Sequence, residues 1–276
     1  MNNIKPSVLT IAGSDSGGGA GIQTDLRSFN AFKVYGCSVV TAVTAQNPDE
    51  VRRVDVMPVE SVRSQLESVL DVFPVRFAKT GMLATGKIIE CVAELAEKYA
   101  LQLIVDPVMV STSGSRLLED SAVFAMREKL FPRAKWITPN IPEAELICGR
   151  KLTTFSALAD AARMIYDGYK CNCLLKSGHA ISSAMVTDVV CYHGELFALS
   201  SPLAKVAKNT AHGTGCTLSA ALAANFASGK NYQEALMAAK AFVYGSLCEN
   251  VNLSDTVTQM YPPEKDYIDQ VRLERL

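Results

Sequence analysis

Gly213-Thr214-Gly215-Cys216, followed by the small residues Thr217, Ser219, Ala220 and Ala221, is the stretch whose residue types point most directly to chemistry. A glycine lacks the Cβ that would hold another group away from the backbone. A helix starting near Gly215 leaves free N–H groups in its first turn and the positive end of its dipole, which together suit an anion such as phosphate. Cys216 lies at that end, where a thiol gains thiolate character. The expectation is an anion hole made by Gly213, Thr214 and Gly215, with Cys216 beside it as a proton acceptor. The same residues would also serve as a loop, a helix start and a small cysteine packed as a hydrophobe.

Other candidates fall where apolar runs end. Asp106, Asn140 and Glu143 are oxygen-bearing groups that could together hold hydrated Mg²⁺, which keeps several waters and needs few protein ligands. Asn140 and Glu143 would equally suit helix and turn capping. Gly13 to Asp15, Gln46 and Lys176 also sit at strand ends. With three histidines in the chain and no paired carboxylate, His179 and His212 read as loop residues. Two spacings mimic known nucleotide motifs. Gly19-Ala20-Gly21-Ile22-Gln23-Thr24 ends in threonine where the dinucleotide fingerprint needs glycine or alanine, and no acidic residue follows at the right distance. Gly81 to Lys87 has P-loop spacing, but Ile88 replaces the magnesium-binding hydroxyl.

The elements that must carry these groups alternate in type. Apolar or β-branched runs at 7–13, 38–44, 75–79, 101–105, 135–138 and 173–176 predict strands. Residues 22–35 predict a helix with Ile22, Leu26, Phe29 and Phe32 on one face and Asp25 in its first turn. Helices are also expected at 58–73, 86–99, 121–130, 158–166, 217–227 and 232–247, with a short one begun by Glu143 and Glu145. Residues 185–191 and 195–199 read as a hairpin turned at His193-Gly194. The polar tail beyond Ser254 predicts a short charged helix. Such alternation implies a mostly parallel sheet covered on both faces, in one domain spanning 1–276, with ligands beyond the carboxyl ends of the strands.

Composition narrows the function classes. A net charge of −1 over 276 residues gives no field that favours nucleic acid or anionic lipid. No apolar run approaches the ~20 residues of a membrane helix. The start lacks the features of a signal peptide, so a cytoplasmic protein is expected. The eight cysteines are scattered, without metal-site spacing, which predicts reduced and mostly buried thiols.

Five stretches occur in order: Ala12-Gly13-Ser14-Asp15-Ser16-Gly17-Gly18-Gly19-Ala20-Gly21-Ile22-Gln23, Lys79-Thr80-Gly81-Met82-Leu83, Asp106-Pro107-Val108-Met109-Val110, Thr138-Pro139-Asn140 with Glu143-Ala144, and His212-Gly213-Thr214-Gly215-Cys216. In this combination the chain resembles the hydroxymethylpyrimidine/phosphomethylpyrimidine kinases of thiamine biosynthesis, within the ribokinase-like superfamily. The resemblance implies an α/β/α three-layer sandwich with a mostly parallel central sheet. It implies phosphorylation by ATP of the hydroxymethyl group of the pyrimidine, then of the resulting monophosphate, with Mg²⁺. It places Gly213 to Gly215 at the anion hole and Cys216 where sugar kinases of the superfamily carry a base aspartate. Gly13, Asp25, Gln46, Met82 and Val110 fall to the pyrimidine pocket. Lys176, Asn140 and Thr214 fall to the nucleotide, and Asp106 and Glu143 to a water-mediated Mg²⁺. Family members are commonly dimers, which implies a homodimer.

Three positions depart from the family pattern: Ala211 is inserted before His212, Ser177 replaces a glycine, and Pro48-Asp49-Glu50 follows Gln46-Asn47. Two alternatives stand beside the kinase reading: a pyridoxal kinase of the same superfamily, and a non-catalytic small-molecule binder on the same fold.

Overall fold

The short apolar runs form strands and the longer amphipathic ones form helices, in the alternation expected. The computed structural model describes residues 4–109, 118–178, 184–206 and 212–276. Its first half runs β1 (Ser7–Asp15), α1 (Gly21–Ala31), β2 (Tyr35–Gln46), β3 (Val51–Val56), α2 (Val59–Leu70), β4 (Phe77–Thr80), α3 (Gly86–Lys98), β5 (Gln102–Val105) and α4 (Asp120–Ala125). Then come β6 (Ala134–Ile137), α5 (Ile141–Cys148), α6 (Phe155–Tyr169), β7 (Asn172–Leu175), β8 (Met185–Tyr192), β9 (Glu195–Pro202), α7 (Thr214–Ala227) and α8 (Tyr232–Cys248). The pair β10 (Val251–Asn252) and β11 (Thr258–Gln259) and a final strand, β12 (Arg272–Arg275), complete the chain.

Among the described residues one sheet has ten strands, in the order β12-β9-β8-β7-β6-β5-β4-β1-β2-β3. From β7 through to β2 neighbouring strands are parallel; β3, β8, β9 and β12 extend the two edges antiparallel.

Successive strand residues point to opposite faces, and the core divides accordingly. Leu9, Ile11, Leu103, Val105, Cys173 and Leu175 join one buried cluster with α2, α3, α5 and α6. Val8, Ile104, Trp136 and Leu174 join the other, with α1, α7 and α8. Each such side chain is worth about 1.5–3 kcal/mol when buried. A one-residue slip would turn every one of them to the wrong layer, so the register is fixed by both faces at once.

Several local expectations are corrected. The helix predicted to reach Tyr35 stops at Ala31: Lys33 takes a φ of 60°, and the Tyr35 N–H donates to Pro6 O to open β2. Because the helix starts at Gly21, Asp25 lies beyond its first turn. β3 was not expected; all six of its residues are exposed, so it carries no buried alternation. The helix predicted over 121–130 is α4 continued by a π-helical turn at Met126–Leu130. In the tail a charged helix was expected. Instead a 3₁₀ turn at Ile268–Gln270 leads into β12, which pairs antiparallel with β9 and sets Leu273 against the second cluster. The β8–β9 hairpin turns at His193 and Gly194, with φ of 48° and 81°, the double positive φ of a type I′ turn.

Candidate active site

The sheet's ladder continues one residue past the parallel strands. The Asp106 N–H donates to Thr80 O, the Thr138 N–H to Val105 O, and the Lys176 N–H to Pro139 O. Strand parity therefore carries over: Ile104 and Leu174 face α7, and so do Asp106 and Lys176 two residues on. Lys176 Nζ donates to Asp106 Oδ1 at 2.7 Å, and Ser219 Oγ, from α7, lies 3.4 Å from Asp106 Oδ2. A Cβ on Gly215 would sit 3.1 Å from Lys176 Nζ and 3.7 Å from Asp106 Oδ2. The first turn of α7 is thus pressed against the ion pair. Burial works against the Lys176 ammonium, but Asp106 and Glu143 hold its pKa above the usual lysine value.

Gly213 is the N-cap of α7, with a φ of 85°. A Cβ there would lie 1.9 Å from Gly19 O. Gly21 takes a φ of 58°, and its Cβ would lie 2.4 Å from Gly13 O. The loop after β1 and the loop before α7 can meet only because both are glycine. Where they meet, the Gly21 N–H faces the half-buried Cys216 thiol. Burial pushes that thiol above its ordinary value; Lys79 pulls it down, and Asp25 and Asp106 push it up. Burial and the two carboxylates thus work against the thiolate expected at a helix N-terminus.

Asn140 and Glu143 form a capping box on α5: Asn140 Oδ1 accepts from the Glu143 N–H, and Glu143 Oε2 from the Asn140 N–H, both at 2.8 Å. Glu143 Oε1 accepts from the Met109 N–H at 3.1 Å. Burial and the nearby Asp106 push Glu143 up to about 7, against the pull of Lys176. Among the described residues no group of three or more His, Cys, Asp or Glu could hold a metal. Asp106 and Glu143 are each already engaged, Asp106 by Lys176 and Glu143 by the Asn140 and Met109 N–H groups, so a hydrated Mg²⁺ would be reached from them only through water.

Of the pyrimidine-side candidates, Gly13, Gln46 and Met82 lie at the ends of β1, β2 and β4, and Asp25 lies in α1. A Cβ on Gly13 would sit 2.6 Å from Met82 Cε, so that methionine lies directly over the glycine. Gln46 Nε2 is 3.2 Å from His212 Nε2, and the same nitrogen is 3.6 Å from Asp15 Oδ2. Asp25 is fully buried; its Oδ2 accepts from Thr10 Oγ1 at 2.6 Å and from Lys79 Nζ at 2.9 Å, while Oδ1 has no partner. Val110, His179 and the inserted Ala211 lie outside the described residues.

A family profile described as phosphomethylpyrimidine kinase matches residues 15–261. The chain belongs to the phosphomethylpyrimidine kinase family. A hydroxymethylpyrimidine/phosphomethylpyrimidine kinase of Haemophilus influenzae is 42% identical over 257 residues, 92% of this chain and 94% of the relative. The structure of a phosphomethylpyrimidine kinase from Clostridium difficile is 37% identical, with a TM-score of 0.76 over 87% of this chain and 98% of that one. The pyridoxal kinase from Staphylococcus aureus, in complex with AMP-PCP and pyridoxal, is 32% identical, with a TM-score of 0.87 over 99% of this chain and all of that one.

In this member of the phosphomethylpyrimidine kinase family the site also contains residues to which sequence reasoning gave no role. Lys79 is a fully buried cation in the otherwise uncharged strand β4, a pattern that signals a buried partner. Asp15, which accepts from the Gly17 and Ala20 N–H groups, shapes the first glycine loop. His212 is in a turn, as expected of a loop residue, yet it reaches both Asp15 and Gln46. Ser177 donates its N–H to Asp188 Oδ1 at 2.9 Å, and Lys240 Nζ pairs with Asp188 Oδ2 at 2.6 Å. The P-loop mimic is an ordinary helix start: Thr85 Oγ1 caps α3, and Lys87 is exposed. A groove of about 640 Å³ beside α1, lined by Gln23, Arg27, Asn30 and Tyr261, holds none of the predicted site residues.

Proposed function

We propose that this protein uses ATP to phosphorylate 4-amino-5-hydroxymethyl-2-methylpyrimidine, and then the monophosphate, in thiamine biosynthesis. The observation that carries this is the convergence of Gly213 to Cys216, the glycine loop of 17–21 and the Lys176–Asp106 pair on one helix N-terminus. Phosphoryl transfer depends mainly on positioning and charge neutralisation. The N-terminal turn of α7, with the positive end of its dipole, receives the transferred phosphate, and Lys176 neutralises its charge. Cys216 positions the attacking hydroxyl with its sulfur as hydrogen-bond acceptor, and the hydroxyl proton leaves to a phosphate oxygen as the new oxygen–phosphorus bond forms. Asn140 lines the nucleotide side. Asp106 and Glu143 would hold a hydrated Mg²⁺, which supplies charge neutralisation between the phosphates. Full ADP production in excess EDTA would refute the metal requirement.

The acceptor side carries the second decision. The Gln46 amide offers a donor beside an acceptor, the complement of an amine next to a ring nitrogen on an aminopyrimidine. Gly13 and Met82 wall the ring, and Asp25 supports the pocket. Pyridoxal offers a phenolic oxygen and an aldehyde, leaving one amide group unpaired at a cost of about 1–3 kcal/mol, roughly ten- to a hundredfold in kcat/KM. The likeness to the Staphylococcus aureus enzyme keeps pyridoxal as the comparison substrate. ADP release with each acceptor tests the assignment: a pyrimidine preference is expected, and equal values or a pyridoxal preference would overturn it.

We propose a homodimer in the cytoplasm. Among the described residues no helix is long and apolar enough to cross a membrane. The exposed Val51, Val54 and Val56 of β3 offer an apolar edge for a second copy. Light scattering on the purified chain checks the dimer, and a monomeric mass would refute it.

A further inference from the structure

An amide can tell a donor–acceptor edge from its reverse only if its own two ends are held in order. Half a turn about the last side-chain bond of Gln46 would exchange NH₂ for C=O. Two contacts could hold it. Thr44 Oγ1 is 3.4 Å from Gln46 Oε1, but that hydroxyl has one proton and Ser14 O is nearer, at 3.0 Å. The other contact is Gln46 Nε2 to His212 Nε2 at 3.2 Å. An amide NH₂ only donates, so this bond needs a lone pair on His212 Nε2 and the ring proton on Nδ1.

The imidazole is itself seated. A Cβ on Gly19 would come within 2.9 Å of His212 Cδ2, so the ring occupies space that only glycine leaves free. Asp15 Oδ2, 3.6 Å from Nε2, is beyond hydrogen-bond distance and takes no proton from that nitrogen in this tautomer; Asp15 borders the ring, itself pinned by the Gly17 and Ala20 N–H groups at 2.9 Å each. The first glycine loop, the end of β2 and the residue before the anion hole are thus joined through one side chain.

We propose that His212 is a specificity-positioning residue: it fixes the direction of the Gln46 amide and so favours an aminopyrimidine over a pyridoxal-type acceptor. This rests on the reading that Gln46 faces the acceptor ring. With one N–H given to His212, the amide keeps its second N–H and its oxygen in a fixed order for the ring nitrogen and exocyclic amine. Without His212 both orientations are open, and the wrong one presents donor to donor.

A double-mutant cycle tests this on the full-length enzyme. ADP release is measured for hydroxymethylpyrimidine and for pyridoxal in wild type, Gln46→Ala, His212→Ala and the double variant, with KM for ATP as a parallel readout. His212→Ala should lower the pyrimidine-to-pyridoxal ratio of kcat/KM about three- to tenfold, the worth of one neutral hydrogen bond, and leave KM for ATP within about twofold. In the Gln46→Ala background the same change should do nothing further. His212→Gln, whose amide oxygen can replace Nε2 as acceptor, should restore most of the ratio. If Gln46→Ala shifts the ratio and His212→Ala does not, or if His212→Ala shifts it equally in both backgrounds, the proposal is overturned while Gln46 stands as the reader. If Gln46→Ala leaves the ratio unchanged, the reader assignment falls and the proposal with it.

Discussion

At the scale of the residue, Cys216 is where sequence and structure pull apart. Its position at the start of α7 favours a thiolate, yet burial together with Asp25 and Asp106 keeps it a thiol. A group protonated at working pH is a weak base, and a loose transition state asks little of one. Cys216→Ala should therefore lower kcat by less than the ~10² that begins the usual range for general-base catalysis. Alkylation of Cys216 by iodoacetamide in the unliganded protein should reach its half-maximal rate only above pH 9. A half-maximal rate near neutrality would restore the thiolate and the stronger base role. The neighbouring glycines were legible from their spacing as a loop that opens a helix. That Gly213 and Gly19 must touch was not, because nothing local links positions so far apart in the chain.

At the scale of the element, α5 shows a structural and an electrostatic role in one side chain. Glu143 closes the capping box and accepts from the Met109 N–H, yet its pKa is pushed to about 7. Between the unfolded value near 4.5 and about 7 the folded protein binds more protons at this site than the unfolded one. Stability must then fall as pH rises through that window and level off above it. The shift corresponds to a loss on the order of 3 kcal/mol. Urea midpoints measured in EDTA from pH 5 to 8 should show this fall in wild type, and Glu143→Gln should remove it. The variant also loses one backbone contact, so the diagnostic is the slope with pH and not the absolute stability; an unchanged slope would place the titration elsewhere. Elements with a buried face were read correctly because burial imposes a period. β3 and β12 were missed because they are sheet edges: one exposes every residue, and the other buries little beyond Leu273. The capping role of Asn140 was visible in the sequence, but its convergence with Asp106 and Lys176 needed the sheet order.

At the scale of the whole molecule, one buried ion pair ties a helix layer to the sheet beneath the site. Asp25 comes from α1, Lys79 from β4 and Thr10 from β1, and both charged side chains are fully enclosed. Burial raises the Asp25 pKa against the pull of Lys79, while Asp25, Cys216 and Asp106 together hold Lys79 cationic. Such a pair gains little over well-packed apolar groups, but removing one partner strands the other charge at a cost of about 3–5 kcal/mol. Lys79→Met should therefore lower the unfolding free energy by about that amount. Asp25→Leu combined with Lys79→Met should recover most of it, since no charge is then left unpaired. Activity should not follow stability. The Lys79 ammonium acts electrostatically on both Cys216 and Asp106, so the double variant should fold yet remain at least about tenfold below wild type in kcat. Denaturation midpoints and kcat on the same preparations separate the two roles. A double variant as unstable as Lys79→Met would show that the pair is not a self-contained unit. A stable double variant with wild-type kcat would show that Lys79 serves the fold alone, leaving Lys176 to balance the charge of the transferred phosphate.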